Sequence, residues 1–363
     1  MLNVAELHLR FFSIRASKYG AHSHSLKAQS MTARGIARIG AVSNDIAWRP
    51  TASLSMLRQR AEMLAVIRRF FAARDVLEVD TPAISRAGVT DLNIHSFKTR
   101  YRNEIDCYLH TSPEFPMKRL LAAGAGSIYQ ICKVFRDDEQ GRWHNPEFTM
   151  LEWYRPGFDH HDLMNEVDLL LQEVLGTAVA DRLTYQDAFI AHAGCDPFNV
   201  SSAQLQRCAE SHGVVVAGAD MALASLDVWL DLLMSHVVGP ALGHSHPTFI
   251  YDYPVSQAAL ARVRREPAPR AERFELYVAG VELANGFHEL VDGSEQRARF
   301  VADQARRQAL DLAVPPLDVR LLAALNHGLP PCAGVALGVD RLLMLGTGAQ
   351  AIGEVIAFPF ERA

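Results

Sequence analysis

The chain has 363 residues, of which 49% are hydrophobic and 21% charged, and its formal net charge is −5. This composition is that of an ordinary globular protein with one large or two smaller domains. The acidic balance argues against a general electrostatic attraction to nucleic acid, and no apolar run approaches the roughly 18 residues that span a bilayer. The five cysteines form no C-x-x-C pair. They favour a reducing cytoplasm over a disulfide framework or a cysteine zinc site.

The first 47 residues differ in composition from the rest. Up to residue 40 they carry six Lys or Arg side chains and a single acid, Glu6, with Ser and His between them. This pattern is similar to that of an organellar transit peptide, which is basic and poor in acids. A disordered tail, or a start at Met31, explains it as well. We expect 1–47 to be a disordered or non-native extension and 48–363 to be the catalytic domain.

After residue 47 the sequence predicts separate helices and strands. Ser53 or Ser55 can cap a helix that ends near Arg74, because apolar side chains recur there at helical spacing. Strands beside separate helices indicate an α+β fold with an antiparallel sheet. The further expected elements are strands over 76–79, 94–101, 105–109, 128–135 and 147–154, a helix over 114–123, mostly helices over 163–238, a strand pair over 272–284, a helix over 294–310 and a final helix after 334–341.

Acidic residues inside apolar strands are the most informative feature. Glu152, Tyr154 and Phe148 share one face of the expected strand over 147–154, because side chains alternate along a strand. Glu289, shortly after Asn285-Gly286, is a second acid within an apolar strand segment. A carboxylate in a packed strand is costly unless it meets a cation or a metal ion. Each of these acids taken alone also fits a structural ion pair or an exposed strand face.

Several separate segments resemble class II lysyl-tRNA synthetases, in the same order as in that family. Residues 134–154 resemble motif 2, 334–341 resemble motif 3, and 77–82 resemble motif 1, the dimerisation element. Residues 111–114 and 282–289 are similar to the family's amino-acid-binding segments. The resemblance covers the chain after residue 47. It implies the class II catalytic domain, an antiparallel sheet flanked by helices that uses ATP to activate a carboxylic acid as an adenylate.

The resemblance implies an ATP-binding role for individual residues. Arg136 would hold the α-phosphate and the substrate carboxylate, and Arg341 the γ-phosphate, because a guanidinium fork suits both groups. These two are the expected catalytic residues. Phe148 would stack on adenine, Asp138 would accept its amino group, and Gly338 would let the backbone approach the nucleotide. The remaining expected ATP contacts are Asp137, His144, Asn145, Glu282 and Leu283.

The resemblance also implies a magnesium site and a substrate pocket. Glu275 and Glu282 stand where the family holds Mg²⁺, which bridges phosphates. Three carboxylates around one small pocket indicate a substrate with two ammonium groups, such as lysine or an isomer. No general base is needed for activation, because the attacking carboxylate is already ionised. The expected substrate contacts are Ser112, Glu114, Glu152, Tyr154, Asn285, Glu289 and Ala336.

The chain departs from a lysyl-tRNA synthetase in three ways. The 47 residues before the catalytic domain are barely long enough for five strands and lack strand alternation. We therefore expect the tRNA-binding domain to be missing, and no stable tRNA binding. Asp138 replaces the usual glutamate, for which Glu139 could compensate. Ala336 replaces a glycine and reshapes the pocket. This short form with Ala336 resembles the elongation factor P–(R)-β-lysine ligases, which implies β-lysine as substrate and elongation factor P as acceptor.

Two other readings remain open from the sequence. One is a truncated lysyl-tRNA synthetase paralogue that supplies another acceptor, and the other is a regulatory subunit without catalysis. Two smaller expectations come from the residues themselves. We expect the histidine pairs His160–His161 and His244-x-His246 to lie on the surface. We also expect a homodimer, motivated by the apolar side chains Leu64, Ile67, Phe70 and Phe71.

Overall fold

A long first helix and a nine-stranded sheet organise the chain. The structure is a computed structural model that describes residues 48–363 except Asp138 and 215–224, so the expected extension over 1–47 and the adenine contact of Asp138 lie outside the described residues. The helices of eight or more residues are α1 (Leu54–Ala72), α2 (Glu114–Ala122), α3 (His160–Leu175), α4 (Tyr185–Ala193), α5 (Ser202–Ser211), α6 (Leu226–Leu233), α7 (Gly293–Ala309), α8 (Val319–Gly328) and α9 (Val339–Thr347). The strands are β1 (Leu77–Glu78), β2 (Ile84–Ser85), β3 (Lys98–Tyr101), β4 (Ile105–Leu109), β5 (Ile128–Phe135), β6 (Glu147–Pro156), β7 (Asp181–Thr184), β8 (Thr248–Tyr253), β9 (Val263–Arg264), β10 (Arg270–Val278), β11 (Val281–His288) and β12 (Cys332–Gly338).

The large sheet has the strand order β1-β5-β6-β12-β11-β10-β8-β7, and β9 pairs with β10. Its pairings are antiparallel except at the two ends, where β1 runs parallel to β5 and β7 runs parallel to β8. Strands β2, β4 and β3 form a separate antiparallel sheet. This architecture confirms the predicted α+β class with a mostly antiparallel sheet flanked by helices.

One face of the large sheet is covered by helices and the other is open at its centre. Ile67 of α1 and Val167 of α3 pack with Trp153 of β6 and Phe274 of β10 in one buried cluster. The alternate residues of the same strands, such as Glu152, point to the opposite face. The sheet therefore separates an apolar core from a face on which polar side chains can meet.

Most of the predicted elements are confirmed near their expected bounds. The first helix is capped by Ser53, whose Oγ accepts a hydrogen bond from the backbone N–H of Met56 at 3.1 Å. Helices dominate the described residues between 163 and 238 as predicted, but Asp181–Thr184 forms the strand β7, which the sequence did not predict. At four residues, this strand is too short to show a clear alternation.

The apolar side chains of α1 that motivated the expected homodimer do not lie on the surface. Ile67, Phe70 and Phe71 are buried within the chain's own core, and Leu64 packs against the same cluster. Ile67, Phe70 and Phe71 therefore present no surface to a second chain.

In the part of the chain that the structure describes, no helix has the length and apolar character needed to cross a membrane.

Candidate active site

Three of the expected substrate residues lie side by side at the centre of the sheet. Ala336 of β12 pairs on one side with Glu152 of β6 and on the other with Asn285 of β11. Neighbouring residues in adjacent strands point to the same face. The residues that the sequence placed in one pocket, separated by more than a hundred positions, are thus brought together by strand register.

Glu152 is a buried carboxylate that accepts hydrogen bonds from two neutral hydroxyl groups. Its Oε1 accepts a hydrogen bond from the Tyr154 hydroxyl at 2.6 Å, and its Oε2 accepts one from the Ser112 hydroxyl at 2.9 Å. Burial, together with the nearby Glu114 carboxylate, raises the pKa of Glu152 to about 8. A cation bound here would restore the ionised form.

A buried lysine that the sequence interpretation missed lies among these acids. Lys118 of α2 is 1% exposed, and its Nζ lies 2.6 Å from both Glu114 Oε1 and Glu289 Oε2. Lys118 therefore pairs with both carboxylates at once. Burial by itself lowers the pKa of Lys118, but the Glu114 and Glu289 charges outweigh it and raise that pKa. The i, i+4 spacing of Glu114 and Lys118 on a helix was the available signal.

Gly334 is required at this site because two pocket side chains occupy the space of a Cβ. A Cβ on Gly334 would lie 2.2 Å from Tyr154 Cε1 and 2.5 Å from Glu289 Oε1. Any side chain here would displace Tyr154 or Glu289. The first residue of the motif 3 segment thus shapes the pocket, a role that the sequence alone did not reveal.

A cavity of about 1560 Å³ opens above these residues. A cleft for one small ligand is typically about 300–1,000 Å³, so this cavity has room for more than one group. It extends from Glu152 and Glu289 past Arg136 to Asp231 on α6. Burial and the neighbouring Asp227 raise the pKa of Asp231 to about 8.

A second, smaller cavity adjoins the first and collects most of the expected ATP contacts. Asn285 and Ala336 line both cavities, so the two expected binding regions meet at these residues. A Cβ on Gly338 would come no closer than 3.8 Å to protein atoms, so the space beside this end of β12 is open. Other residues that line the smaller cavity are Glu139, His144, Asn145, Phe148, Glu282, Leu283, Gly338 and Arg341.

The two expected catalytic arginines lie at different cavities, since Arg136 lines the larger cavity and Arg341 lines the smaller one. Arg136 is buried, forms an ion pair with Glu139 at 3.3 Å, and has its guanidinium carbon 5.1 Å from the centre of the Phe148 ring. Arg341 donates to the backbone oxygen of Glu282 and contacts His144 Nε2, each at 2.7 Å. Both guanidinium groups are therefore oriented before any ligand binds.

Among the expected ATP contacts, His144 and Asn145 form contacts within the protein, and Asp137 lies outside both cavities. Burial and the Arg341 charge lower the pKa of His144 to about 3, so His144 is neutral and can accept from Arg341. The Asn145 amide donates to the Glu147 backbone oxygen at 2.6 Å and accepts from the Phe360 backbone N–H at 3.0 Å. Asp137 is exposed and lines neither cavity.

The two carboxylates expected to hold Mg²⁺ differ in their surroundings. Glu275 forms an ion pair with Arg273 and accepts hydrogen bonds from Tyr277 and Asn285. Glu282 lines the smaller cavity, and burial together with the Glu275 charge raises its pKa to about 7. A nearby divalent cation would relieve this repulsion, so Glu282 fits a magnesium ligand, whereas the Glu275 oxygens are already used by other donors.

The expectation for the histidine pairs is half right. His244 and His246 are exposed as expected. The expectation for His160 is wrong, because it is only 3% exposed. His160 lies on the core face of the sheet and takes no part in the cavities described above.

This fold and site define a catalytic domain of the class II synthetase type. Residues 43–362 match the family model described as tRNA synthetases class II (D, K and N). The chain is 53% identical over 323 residues to the elongation factor P–(R)-β-lysine ligase of Vibrio cholerae, which covers 87% of this chain and 98% of that protein. It is 51% identical over 329 residues to the protein of the same name from Pectobacterium carotovorum, covering 89% of this chain and 100% of that protein. The chain belongs to the class II tRNA synthetase family, in the group of the elongation factor P–(R)-β-lysine ligases.

Proposed function

We propose that this chain is an ATP-dependent ligase that activates (R)-β-lysine as an adenylate and transfers it to a lysine ε-amine of elongation factor P. The observation that carries the proposal is the charge balance of the pocket. Glu114, Glu152 and Glu289 supply three carboxylates, and Lys118 supplies one ammonium group. When all are ionised, two negative charges remain, which matches a substrate with two ammonium groups.

In the first step, a carboxylate oxygen of the substrate attacks the α-phosphorus of ATP, and the bond to pyrophosphate breaks. Arg136 lies in the larger cavity beside Glu152, where it can bind the substrate carboxylate and the α-phosphate together. We assign Arg341 to the γ-phosphate, Phe148 to adenine, and Glu282 to Mg²⁺. The metal ion would neutralise charge on the departing pyrophosphate. Both reactants are thus positioned by fixed charges, as phosphoryl transfer requires.

In the second step, the neutral amine of the acceptor attacks the adenylate carbonyl, AMP leaves, and the amine loses its proton. The cavity supports this step through its size, which exceeds that of a single small-molecule cleft. We propose that the acceptor side chain enters from the side of Asp231, so that it reaches the carbonyl without displacing the bound β-lysine.

The remaining parts of the proposal follow from this activity. We propose that 48–363 is one catalytic domain, that the protein acts in the cytoplasm as a homodimer, and that it forms no stable complex with tRNA. The five cysteines are free thiols, which supports a reducing compartment.

The test is ATP–pyrophosphate exchange with (R)-β-lysine, (S)-β-lysine, α-lysine or no acid. We expect exchange with (R)-β-lysine above all others, followed by transfer to purified elongation factor P. Preference for α-lysine would instead support the lysyl-tRNA synthetase paralogue, and no exchange with any acid would support the regulatory subunit.

A matched pair of variants locates the pocket in the same assay. Glu289→Gln removes a buried charge beside Lys118, whereas Glu147→Gln changes an exposed carboxylate on β6. We expect Glu289→Gln to weaken activation of the acid by at least about 30-fold, because truncating a buried charge pair costs about 2–5 kcal/mol. ATP binding should stay unchanged in both variants. Equal losses in acid activation and ATP binding would mean that the pocket lies elsewhere.

A further inference from the structure

Three side chains of the kind that bind metal ions meet on the sheet face opposite the active site. Glu272 lies on β10 and His288 ends β11, so each is next in sequence to a residue that lines the larger cavity, Arg273 or Glu289. Because side chains alternate along a strand, Glu272 and His288 point away from the substrate cavity. His160 is the first residue of α3, the helix that packs on this face.

The local sequence fixes where His160 stands. Asp159 caps α3 by accepting hydrogen bonds from the backbone N–H groups of His161 and Asp162, at 2.8 and 2.9 Å. The N–H of Asp159 donates in turn to the Asp162 carboxylate, which completes a capping box. The helix start, and with it His160, is thus held by contacts independent of Glu272 and His288.

The distances within this trio suit a transition-metal ion. One ligand atom from each of the three residues lies within 4.8 Å of the other two, and His288 Nδ1 is 2.8 Å from the Glu272 carboxylate. In a tetrahedral zinc site, bonds of about 2.0–2.2 Å place neighbouring ligand atoms about 3.3–3.6 Å apart. Small side-chain movements would therefore bring the three atoms to coordination distance.

His160 is a buried polar side chain whose ring nitrogens lack hydrogen bonds to the described residues. It is 3% exposed, and neither of its ring nitrogens has a hydrogen-bond partner among the described residues. A buried polar side chain without a partner is costly and therefore rare in native structures.

The surrounding charges leave room for a cation. Arg262 Nε lies 3.5 Å from the Glu272 carboxylate, but its side chain is 55% exposed and free to turn towards solvent. Asp252 lies 4.0 Å from His160 Nε2 and is neutralised by Arg264 at 2.7 Å. Its second oxygen, Oδ1, has no hydrogen-bond partner among the described residues and offers a further oxygen ligand.

We propose that His160, Glu272 and His288 bind a Zn²⁺ ion, with water or Asp252 as the fourth ligand. Two imidazole nitrogens and one carboxylate oxygen form a ligand set that zinc accepts. The ion ties the start of α3 to β10 and β11, the strands that carry Arg273 and Asn285 on their other face. The site holds the sheet beneath the substrate pocket and takes no part in the adenylation chemistry.

The experiment uses the full-length chain without an affinity tag, first stripped of metal with a chelator. Zinc affinity is measured by competition with a chromogenic chelator in the wild type and in His160→Gln, His288→Gln and His161→Gln. The last variant is the matched control, because His161 adjoins His160 but is not part of the trio. We expect one zinc ion per chain, an affinity at least about 100-fold lower without His160 or His288, and an unchanged affinity without His161.

A second measurement does not depend on variants that fold well. X-ray absorption at the zinc edge of the loaded wild-type chain should show two imidazole groups and only nitrogen or oxygen neighbours at about 2.0–2.1 Å. Absence of tight zinc binding in the wild type would overturn the proposal. So would zinc that binds equally well without His160 and His288, or zinc bound by sulfur, since either would place the ion elsewhere in the chain.

Discussion

Lys118 Nζ lies 2.6 Å from the Glu289 carboxylate, so an ion pair buried under the substrate pocket joins helix α2 to the residue that follows strand β11. The same ammonium group lies 2.6 Å from Glu114. Without the ammonium group of Lys118, the carboxylates of Glu114, Glu152 and Glu289 would face one small volume uncompensated. Lys118 therefore sets the net charge of the empty pocket and keeps Glu114 and Glu289 from repelling each other.

Replacing Lys118 by methionine should destabilise the protein strongly. Methionine keeps much of the side-chain volume but leaves the buried Glu289 and the half-buried Glu114 without their cation. Breaking a buried pair in this way costs about 3–5 kcal/mol. The measurement is the free energy of unfolding from urea denaturation. Lys133→Met is the control, because Lys133 pairs with Glu147 at 3.5 Å on an exposed part of β5 and should lose at most about 1 kcal/mol. Similar losses in the two variants would contradict the role of Lys118.

The affinity for (R)-β-lysine should increase with pH between about 6 and 8.5. Burial raises the pKa of Glu152 to about 8 and, against the opposing charge of Lys118, that of Glu289 to about 7. Both carboxyls are thus protonated at lower pH, when they cannot neutralise an ammonium group, whereas a lysine-type amine stays charged up to about pH 10. The measurement is KM for (R)-β-lysine in pyrophosphate exchange, and a KM that is constant over this range would contradict the prediction.

The same pKa shifts fix the sign of a stability effect. Between the ordinary pKa of 4.5 and the raised values near 7 and 8, the folded chain binds more protons at Glu152 and Glu289 than the unfolded chain does. The contribution of these groups to the free energy of unfolding therefore falls as pH rises through this range. Bound β-lysine should offset the loss, so its stabilising effect on thermal unfolding should be larger at pH 8 than at pH 6.

Strand alternation made part of the site predictable. Glu152 and Tyr154 could be assigned to one face of a strand from the sequence alone, and the structure places both on that face, where the Tyr154 hydroxyl donates to Glu152. Strand register then determines which residues from distant segments become neighbours, as Ala336 does for Glu152 and Asn285. Residue patterns by themselves do not predict this register. The expectation that these segments meet came from the resemblance, through the order of the motifs.

The residues that were missed depend on contacts between distant segments. Lys118 looks like an ordinary helix lysine until Glu289 closes over it, and Gly334 is needed only because Tyr154 and Glu289 pack against it. His160 stands at a helix start, usually an exposed position, but β10 and β11 cover it with Glu272 and His288. Local sequence carries no signal for a burial that residues more than a hundred positions away create.

We predict that the chain forms a homodimer through apolar side chains near β1 and β2. Leu77 and Ile84 are 57% and 56% exposed in the single chain, and Leu54 at the start of α1 is 70% exposed. Light scattering at micromolar concentration should give about 80 kDa, twice the 40.1 kDa of one chain. Leu77→Glu with Ile84→Glu should shift the mass to that of one chain. Val319→Glu is the control, since Val319 is 64% exposed on α8. A wild-type mass of 40 kDa would contradict the dimer.

The methyl group of Ala336 should govern the choice between β-lysine and α-lysine. Ala336 lies between Glu152 and Asn285 on the floor that the two cavities share, close to where the substrate carboxylate must meet ATP. α-Lysine carries its first ammonium group one carbon nearer to that carboxylate than β-lysine does. We therefore expect a methyl group at this position to disfavour α-lysine, and Ala336→Gly to remove the obstacle.

The expected result is a rise of about 10- to 200-fold in the ratio of kcat/KM for α-lysine to that for (R)-β-lysine, since one methyl group is worth about 1–3 kcal/mol of discrimination. Ala333→Gly is the matched control. Ala333 lies on the same strand but is buried in the core on the opposite face of the sheet, so its loss should lower stability without changing the ratio. If Ala336→Gly leaves the ratio unchanged, or Ala333→Gly changes it equally, specificity is set by the acid cluster, because Glu152 and Glu289 are then the remaining groups that distinguish the positions of the two ammonium groups.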